Sequence, residues 1–348
     1  MNPNSIPDFS IIIVTWNALH HLKTYLPSVW KHSHDQAEIL IADNASDDGT
    51  GQWISDNYPD IRIITLKENY GYCGGNNRAA RQARGKYLLF LNNDVEVSSG
   101  WLNPLYDELQ NDTEVAAVQP KILSWTAPSH FEYAGAAGGF LDRHAYPFCR
   151  GRMFDTVEKD TGQYDSPMDI AWASGAAMAV RSELFHMAGG FDESFEFHME
   201  EIDLCWQFRN QGFRIRCNPQ SVVYHLGGGS LPVDSPRKTY YNFRNNLKMI
   251  VKNSAARQLL PRLLARLALD EIAMTRALLR FRFREAFAIS RAHCNLIRAL
   301  PGLLDNRMTL QSDRNTASDN HILKPYSLLW QYFFRNRKTF QTLPDTGN

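Results

Sequence analysis

K-Y-L-L-F-L-N-N-D, residues Lys86–Asp94, is an apolar run that stops on two amides and a carboxylate. Lys86–Leu91 predicts a buried strand, and Asp94 falls just past its carboxyl end. Three earlier runs have the same character: Ser10–Thr15 (S-I-I-I-V-T), Glu38–Ala42 and Ile61–Leu66. Between them, helical spacing covers Leu19–Trp30, Gly49–Asn57 with Asp47 or Asp48 as cap, and Gly75–Arg84 with Gly85 as stop. This β-α alternation predicts an α/β fold: a doubly wound, mostly parallel central sheet, Rossmann-like in its winding. Such sheets bind ligands beyond the carboxyl ends of their strands. Asp43 and Asp94 both lie at such ends.

Downstream the pattern changes. Residues 120–165 lack periodicity and carry Pro128, Gly135, Gly138, Gly139 and Pro147, as expected of loops and short antiparallel pieces shaping a cleft. Ile170–Val180 is apolar and rich in small residues. Glu201–Asn210 reads as a helix stopped at Gly212, and Phe213–Cys217 as a strand. Ser254–Leu300 has the spacing of two arginine-rich amphipathic helices, Asp305–Asn320 is a polar linker, and Tyr326–Phe340 is aromatic and basic. We therefore expect an α/β domain over residues 1–250 and a C-terminal helical appendage over residues 251–348.

The 348 residues are 44% apolar and carry zero net charge, unevenly spread. Residues 1–250 hold 21 Lys and Arg against 30 Asp and Glu; residues 251–348 hold 16 against 7. A basic tail on an acidic body suggests an anionic surface as partner, a membrane rather than nucleic acid. The 5 cysteines form no C-x-x-C pair, which argues against a zinc site or a disulfide framework and for a reducing compartment. The first ten residues do not read as a signal peptide, and no apolar run approaches the roughly 18 residues of a spanning helix. The expected location is cytoplasmic, soluble or peripheral on the inner face of the membrane.

Three acidic motifs follow one another: D-N-A-S-D-D-G-T at Asp43–Thr50, L-N-N-D at Leu91–Asp94, and E-E-I-D at Glu200–Asp203. In this order they resemble the inverting family 2 glycosyltransferases of the GT-A fold, most closely the rhamnosyltransferase-like members that build bacterial surface polysaccharides. The resemblance covers about residues 8–250. It implies a nucleoside-diphosphate sugar as donor, thymidine diphosphate–rhamnose being the first guess, and a saccharide or lipid-linked saccharide as acceptor. It also implies Mg²⁺ or Mn²⁺.

The resemblance places roles residue by residue. V-T-W-N, with Thr15 and Asn17, would touch base and ribose. Asp43 would accept hydrogen bonds from the nucleoside, with Asn44 and Ser46 either beside it or simply forming the turn. N-Y-G-Y-C-G-G-N-N, with Asn69, Gly71, Gly74 and Asn76, would lie beside nucleotide and sugar, or serve only as a glycine-rich turn. It is not a dinucleotide fingerprint, since it follows the third strand and lacks the G-x-G-x-x-G spacing.

L-N-N-D resembles the D-x-D of sugar-nucleotide transferases. Asp94 would hold a cation on the diphosphate, with Asn92 and Asn93 beside it and one charge fewer than the usual pair. W-A-S-G-A, with Trp172, Ser174 and Gly175, would wall the donor sugar or the acceptor. Asp192 in G-G-F-D-E would contact the acceptor or cap its turn. His225 would lie near metal and diphosphate, and Arg244 would pair with phosphate or with the acidic body.

Glu200, Glu201 and Asp203 crowd the start of one helix. Acids there complement the helix dipole, yet their repulsion should raise at least one pKa to the range of a useful base. Glu201 stands where the family has the Asp that deprotonates the acceptor, with Asp203 orienting or capping. The rival readings are a catalytically weak sugar-nucleotide-binding or scaffold protein, suggested by Asn92 and Glu201, and a nucleotidyltransferase, which should have a basic, glycine-rich loop where T-W-N-A stands. A homo-oligomer is compatible with the sequence.

Overall fold

A computed structural model describes residues 6–132, 135–227, 235–312, 314–315 and 323–345. Strands β1 (Phe9–Thr15), β2 (Ala37–Asp43), β3 (Arg62–Thr65) and β4 (Tyr87–Asn92) lie parallel in the order β3-β2-β1-β4. Between them run α1 (Leu19–Ser33), α2 (Thr50–Asn57) and α3 (Gly71–Ala80). Both faces are covered: Ile12 packs into one core cluster, Ile11 and Ile13 into the other. That is why β1 reads as an unbroken β-branched run rather than an alternation.

Helix α3 starts at Gly71, four residues before the expected Gly75, and ends at Ala80. Gly85 is therefore not its stop. A β-carbon there would lie 2.4 Å from the Ser10 nitrogen, and its own N–H donates to Ser10 Oγ at 2.7 Å. The glycine lets the chain approach β1.

Beyond β4 the chain forms β5 (Val95–Val97), α4 (Leu102–Asn111) and β6 (Val115–Ser124). A small second sheet follows: β7 (Gly139–Asp142), β8 (Pro147–Cys149), β9 (Arg152–Met153) and β10 (Thr156–Val157). Then come β11 (Met168–Ile170), β12 (Ala177–Arg181), α5 (Ser182–Met187), α6 (Glu200–Asn210) and β13 (Arg214–His225). Strand β12 runs antiparallel to both β4 and β6, and β13 parallel to β6. The nine-stranded sheet is thus parallel on the β1 side and mixed beyond β4.

Three helices close the chain: α7 (Pro236–Asn253), α8 (Ala256–Leu279) and α9 (Phe283–Ser312). Position 250 lies inside α7. Leu247 and Val251 of α7 pack against Leu296 and Leu303 of α9 and against Leu259, Leu263 and Leu267 of α8. Arg262, Arg266 and Arg307 are buried and bond inward, Arg266 to Asp270 and Asn246, Arg307 to the Val251 carbonyl. Much of the apolar stripe and some of the arginines therefore serve packing.

The segment after α9 returns to the body. Strand β14 (Leu323–Lys324) pairs parallel with β7, the Leu328 N–H donates to Asp142, and the Phe340 ring lies 4.8 Å from that of Phe140. The expected linker at Asp305–Asn320 is helical as far as Ser312, and most of its remainder lies outside the described residues. Among the described residues no helix is long and apolar enough to cross a membrane.

Candidate active site along the strand ends

The ends of β2, β1 and β4 form a continuous edge. Thr15 sits opposite Asp43, and Asn92 opposite Val14. Asp43 is buried, and its Oδ1 accepts from the Ser46 N–H at 3.0 Å. The turn after β1 is locked to the turn after β2: Asn17 N–H donates to Ser46 Oγ and Asp47 N–H to Asn17 Oδ1, both at 2.9 Å. Asn17 has φ +47°, a left-handed conformation that asparagine tolerates. Asn93 reaches back to Thr15 Oγ1 at 3.3 Å. These contacts fix the floor on which a nucleoside would rest.

Other residues of the motif set brace the edge. The Asn44 amide donates to the Gly71 carbonyl and accepts from the Tyr70 N–H, tying β2 to α3. Asn69 accepts from Gly71 N–H, and Asn76 donates to the Tyr72 carbonyl. A β-carbon at Gly74 would sit 2.7 Å from Tyr70 Cβ, and one at Gly75 2.8 Å from Val14. Close packing of α3 on β1 requires Gly75, while the crowding at Gly74 is with Tyr70 and Arg78 of its own segment.

Asp94 is buried at the edge, and its Oδ1 lies 3.1 Å from His225 Nε2. The Asn92 amide meets the same nitrogen at 3.3 Å, and Glu132 Oε2 lies 3.5 Å from His225 Nδ1. Burial opposes a charge on His225, but Asp94 and Glu132 outweigh it and push its pKa to about 10. Burial likewise opposes ionisation of Asp94, and His225 holds it below the usual carboxylate range.

Among the described residues no three His, Cys, Asp or Glu side chains form a metal cage. Asp94 nonetheless fits a hard cation that takes one protein ligand and its other oxygens from substrate phosphate and water, with the protonated His225 bracing the carboxylate rather than ligating. Gly228, Gly229 and Ser230 of the loop after His225 lie outside the described residues.

The start of α6 reaches the same edge through the turn before β12. The Asn92 N–H donates to the Ala176 carbonyl at 3.0 Å, and the Tyr72 hydroxyl donates to the Gly175 carbonyl at 2.8 Å. A β-carbon at Gly175 would stand 3.0 Å from the Tyr72 oxygen and 3.8 Å from Glu201 Cβ. Ser174 is buried; its N–H donates to Gln119, and its hydroxyl accepts from the Ala176 N–H.

The loop into α6 is strained: Glu196, His198 and Met199 have φ of +64°, +65° and +76°. Non-glycine residues hold such angles when the surroundings over-determine them, and they cluster at functional sites. This loop delivers three buried side-chain atoms without hydrogen-bond partners: His198 Nε2, Glu200 Oε2 and Glu201 Oε2. Burial pushes Glu201 up to about 7 against nearby backbone N–H groups. Burial and the Glu201 charge push Glu200 well above its usual range. Burial keeps His198 neutral, at about 4.

Four predicted site residues turn away from this space. Asp203 accepts from Lys252 at 2.6 Å, Asn253 at 2.6 Å and Gln207 at 2.8 Å, so it joins α6 to α7. Asp192 caps its turn through the Ser194 N–H and binds Lys252 at 2.7 Å. Trp172 is buried, its indole N–H on the Phe140 carbonyl and its ring over Gly139, so it is core and not a wall of the acceptor site. Arg244 spends its fork on Glu196 and the Ser194 and Phe195 carbonyls, which gives it to the acidic body rather than to phosphate.

Comparisons with known proteins place the chain among glycosyltransferases of related sequence and fold. The family model Glycosyl transferase family 2 matches residues 10–135, from the first strand through the Asp94 turn. Over those residues the chain is similar to that family. The chain is 29% identical over 240 residues to the O-antigen biosynthesis protein RfbC of Myxococcus xanthus, covering 68% of itself but only 18% of that protein. It is 26% identical over 229 residues to the N-acetylglucosaminyl-diphospho-decaprenol L-rhamnosyltransferase of Mycobacterium tuberculosis, covering 62% of itself and 75% of the relative.

Among solved structures, S. aureus TarS in complex with UDP superposes with a TM-score of 0.55 at 17% identity, over 90% of this chain and 88% of that one. GalNAc-T7 with UDP, GalNAc and Mn²⁺ gives 0.55 at 18% identity, over 72% and 48%. These likenesses establish the GT-A fold. The sequence reading missed Tyr72, Glu132 and His198. Tyr72 stands inside the N-Y-G-Y-C-G-G-N-N motif but was not singled out there; Glu132 stands in no recognisable motif, and for His198 the one signal was the density of polar residues around positions 196–203.

Proposed function

We propose that the protein is an inverting glycosyltransferase that moves a sugar from a nucleoside-diphosphate donor to an acceptor hydroxyl in surface-polysaccharide synthesis. One juxtaposition carries the reading. A half-buried carboxylate of raised pKa, Glu201, whose buried Oε2 has no partner, stands across Gly175 from the sheet edge that holds Asp43 and Asp94.

Asp43, Thr15 and Asn17 bind the nucleoside, and Asn92 and Asn93 line the way to the diphosphate. Asp94, with His225 behind it, holds a divalent cation, Mg²⁺ or Mn²⁺. When bound there, such an ion neutralises the charge that gathers on the leaving diphosphate. Glu201 takes the proton from the acceptor hydroxyl, whose oxygen attacks the anomeric carbon from the face opposite the leaving group. A single displacement inverts that carbon. Tyr72 fixes the Gly175 carbonyl, and with it the turn that separates donor edge from base.

Asn92 contributes no charge, so Asp94 is the only carboxylate of this motif. Chelation with EDTA and Asp94→Ala should each abolish transfer while the fold persists; full activity in chelator would remove the cation from the reading. The mycobacterial relative's name supports a rhamnose donor and a lipid-linked acceptor, with thymidine diphosphate–rhamnose as the first nucleotide sugar to try. A thermal-shift screen of nucleotide sugars with Mn²⁺ tests this. A donor at 100 times its Kd adds about 2.7 kcal/mol of stability, and a flat response across all donors would overturn it. Carbon–hydrogen coupling at the new linkage should report inversion, whereas retention would exclude the single displacement.

A further inference from the structure

Helices α8 and α9 meet in a hairpin whose tip reads L-L-R-F-R-F-R, Leu278–Arg284. Its side chains invert the usual burial. Leu279, Phe281 and Phe283 are 76%, 80% and 61% exposed, and Phe287, one turn into α9, is 71% exposed. Contiguous apolar surface of this kind marks an interaction site. The tip is also basic: Arg276, Arg280 and Arg284 have no carboxylate partner among the described residues, and Arg282 meets only Glu285, at 3.5 Å. Elsewhere in the hairpin the arginines that matter to the fold, such as Arg262 and Arg266, are buried and bonded inward. The tip arginines do no such work.

We infer that this tip docks on an anionic lipid surface, with its aromatic and leucine side chains in the headgroup–acyl boundary and its arginines on the lipid phosphates. Alternation of arginine with phenylalanine suits that boundary, because long basic side chains snorkel to phosphate while neighbouring rings enter the apolar layer. A second copy of the chain fits worse. Two tips brought together by a twofold axis would set the arginines of one against those of the other.

The position of the tip is consistent with use. Ala288 and Ala292 of α9 pack with Tyr240, Tyr241 and Phe197, and Phe197 lies in the strained loop four residues before Glu201. Phe283 is about 8 Å further along the helix axis than Ala288. Tip and base loop therefore share one end of the molecule. If the proposed transfer holds, docking sets the base beside the headgroup plane, where a lipid-linked saccharide presents its hydroxyls. The docking itself does not depend on that transfer.

Flotation of the full chain with vesicles tests the inference without reading activity. The protein should float with phosphatidylcholine vesicles doped with phosphatidylglycerol, stay down with pure phosphatidylcholine, and be released as salt rises. Leu279→Ser, Phe281→Ser and Phe283→Ser together should lower partitioning at least about tenfold. Arg280→Glu with Arg284→Glu should do the same with the apolar residues intact. Both variants should keep the parent melting temperature, since the substituted side chains are exposed. A parent that never floats, or a triple variant that floats like the parent, would overturn the docking. So would a parent dimer in sedimentation that falls apart in the triple variant, which would assign the tip to self-association.

Discussion

Two positions on the first turn of α6 receive opposite treatment. Glu201 is half-buried with its buried Oε2 unmatched, while Asp203, two residues on, is fully buried with three donors within 2.8 Å. An isolated buried carboxylate is expensive, and a native fold keeps one only where something else requires it. A matched one needs no such explanation. The three acids that look equivalent in sequence thus divide into a site and a strut, and substitution should separate them.

The largest expected effect is at Glu201. Glu201→Gln should reduce turnover by about a hundredfold or more, the scale of a general base, while donor binding persists. Its melting temperature should stay level or rise, because an unmatched buried charge is removed. Loss of activity together with loss of stability would mean that Glu201 is a strut as well. If Glu200→Gln alone costs as much, the base is its neighbour.

Asp203→Asn should behave in the opposite sense. Lys252 would lose its buried carboxylate partner and keep the half-buried Asp192 at 2.7 Å. Breaking a buried pair costs about 3 kcal/mol, read as a lower denaturation midpoint, and turnover of the remaining folded protein should change little. A folded, stable and inactive Asp203→Asn would return that residue to the chemistry.

What the sequence could and could not convey follows from the range of the interactions. Strands β1 to β4 and the carboxylates after β2 and β4 were legible because apolar runs and turn residues are local signals. The helical start at Glu200 was legible for the same reason. The split between Glu201 and Asp203 was not, since the partners of Asp203 come from Lys252 and Asn253 on another helix. Trp172 looked like a wall because its neighbours are small, but Gly139, thirty-three positions earlier, makes room to bury it. The basic tail was legible as amphipathic; which arginines face inward depends on Asn246, Ser254 and Asp270, and no periodicity reports those pairings.

The smallest effect should come from Glu200, and it sharpens the comparison most. Glu201 must be ionised to accept a proton, so with a pKa near 7 the rate should climb through pH 7 and level above it. Both glutamates are raised in the fold, so the native state holds protons that the unfolded chain has lost. Stability from this pair is therefore fullest below the ordinary carboxylate range and declines as pH rises through 7. The Glu201 charge raises Glu200 on top of burial, whereas burial is what raises Glu201. Glu200→Gln leaves that burial in place, so the midpoint of the pH–rate profile should stay near that of the parent. Turnover on the alkaline plateau should then change only severalfold. A midpoint that moves to lower pH would show that an ionised Glu200 repels the base as well, and one that moves to higher pH would mean that Glu200 had been stabilising the ionised base by donating a hydrogen bond to it.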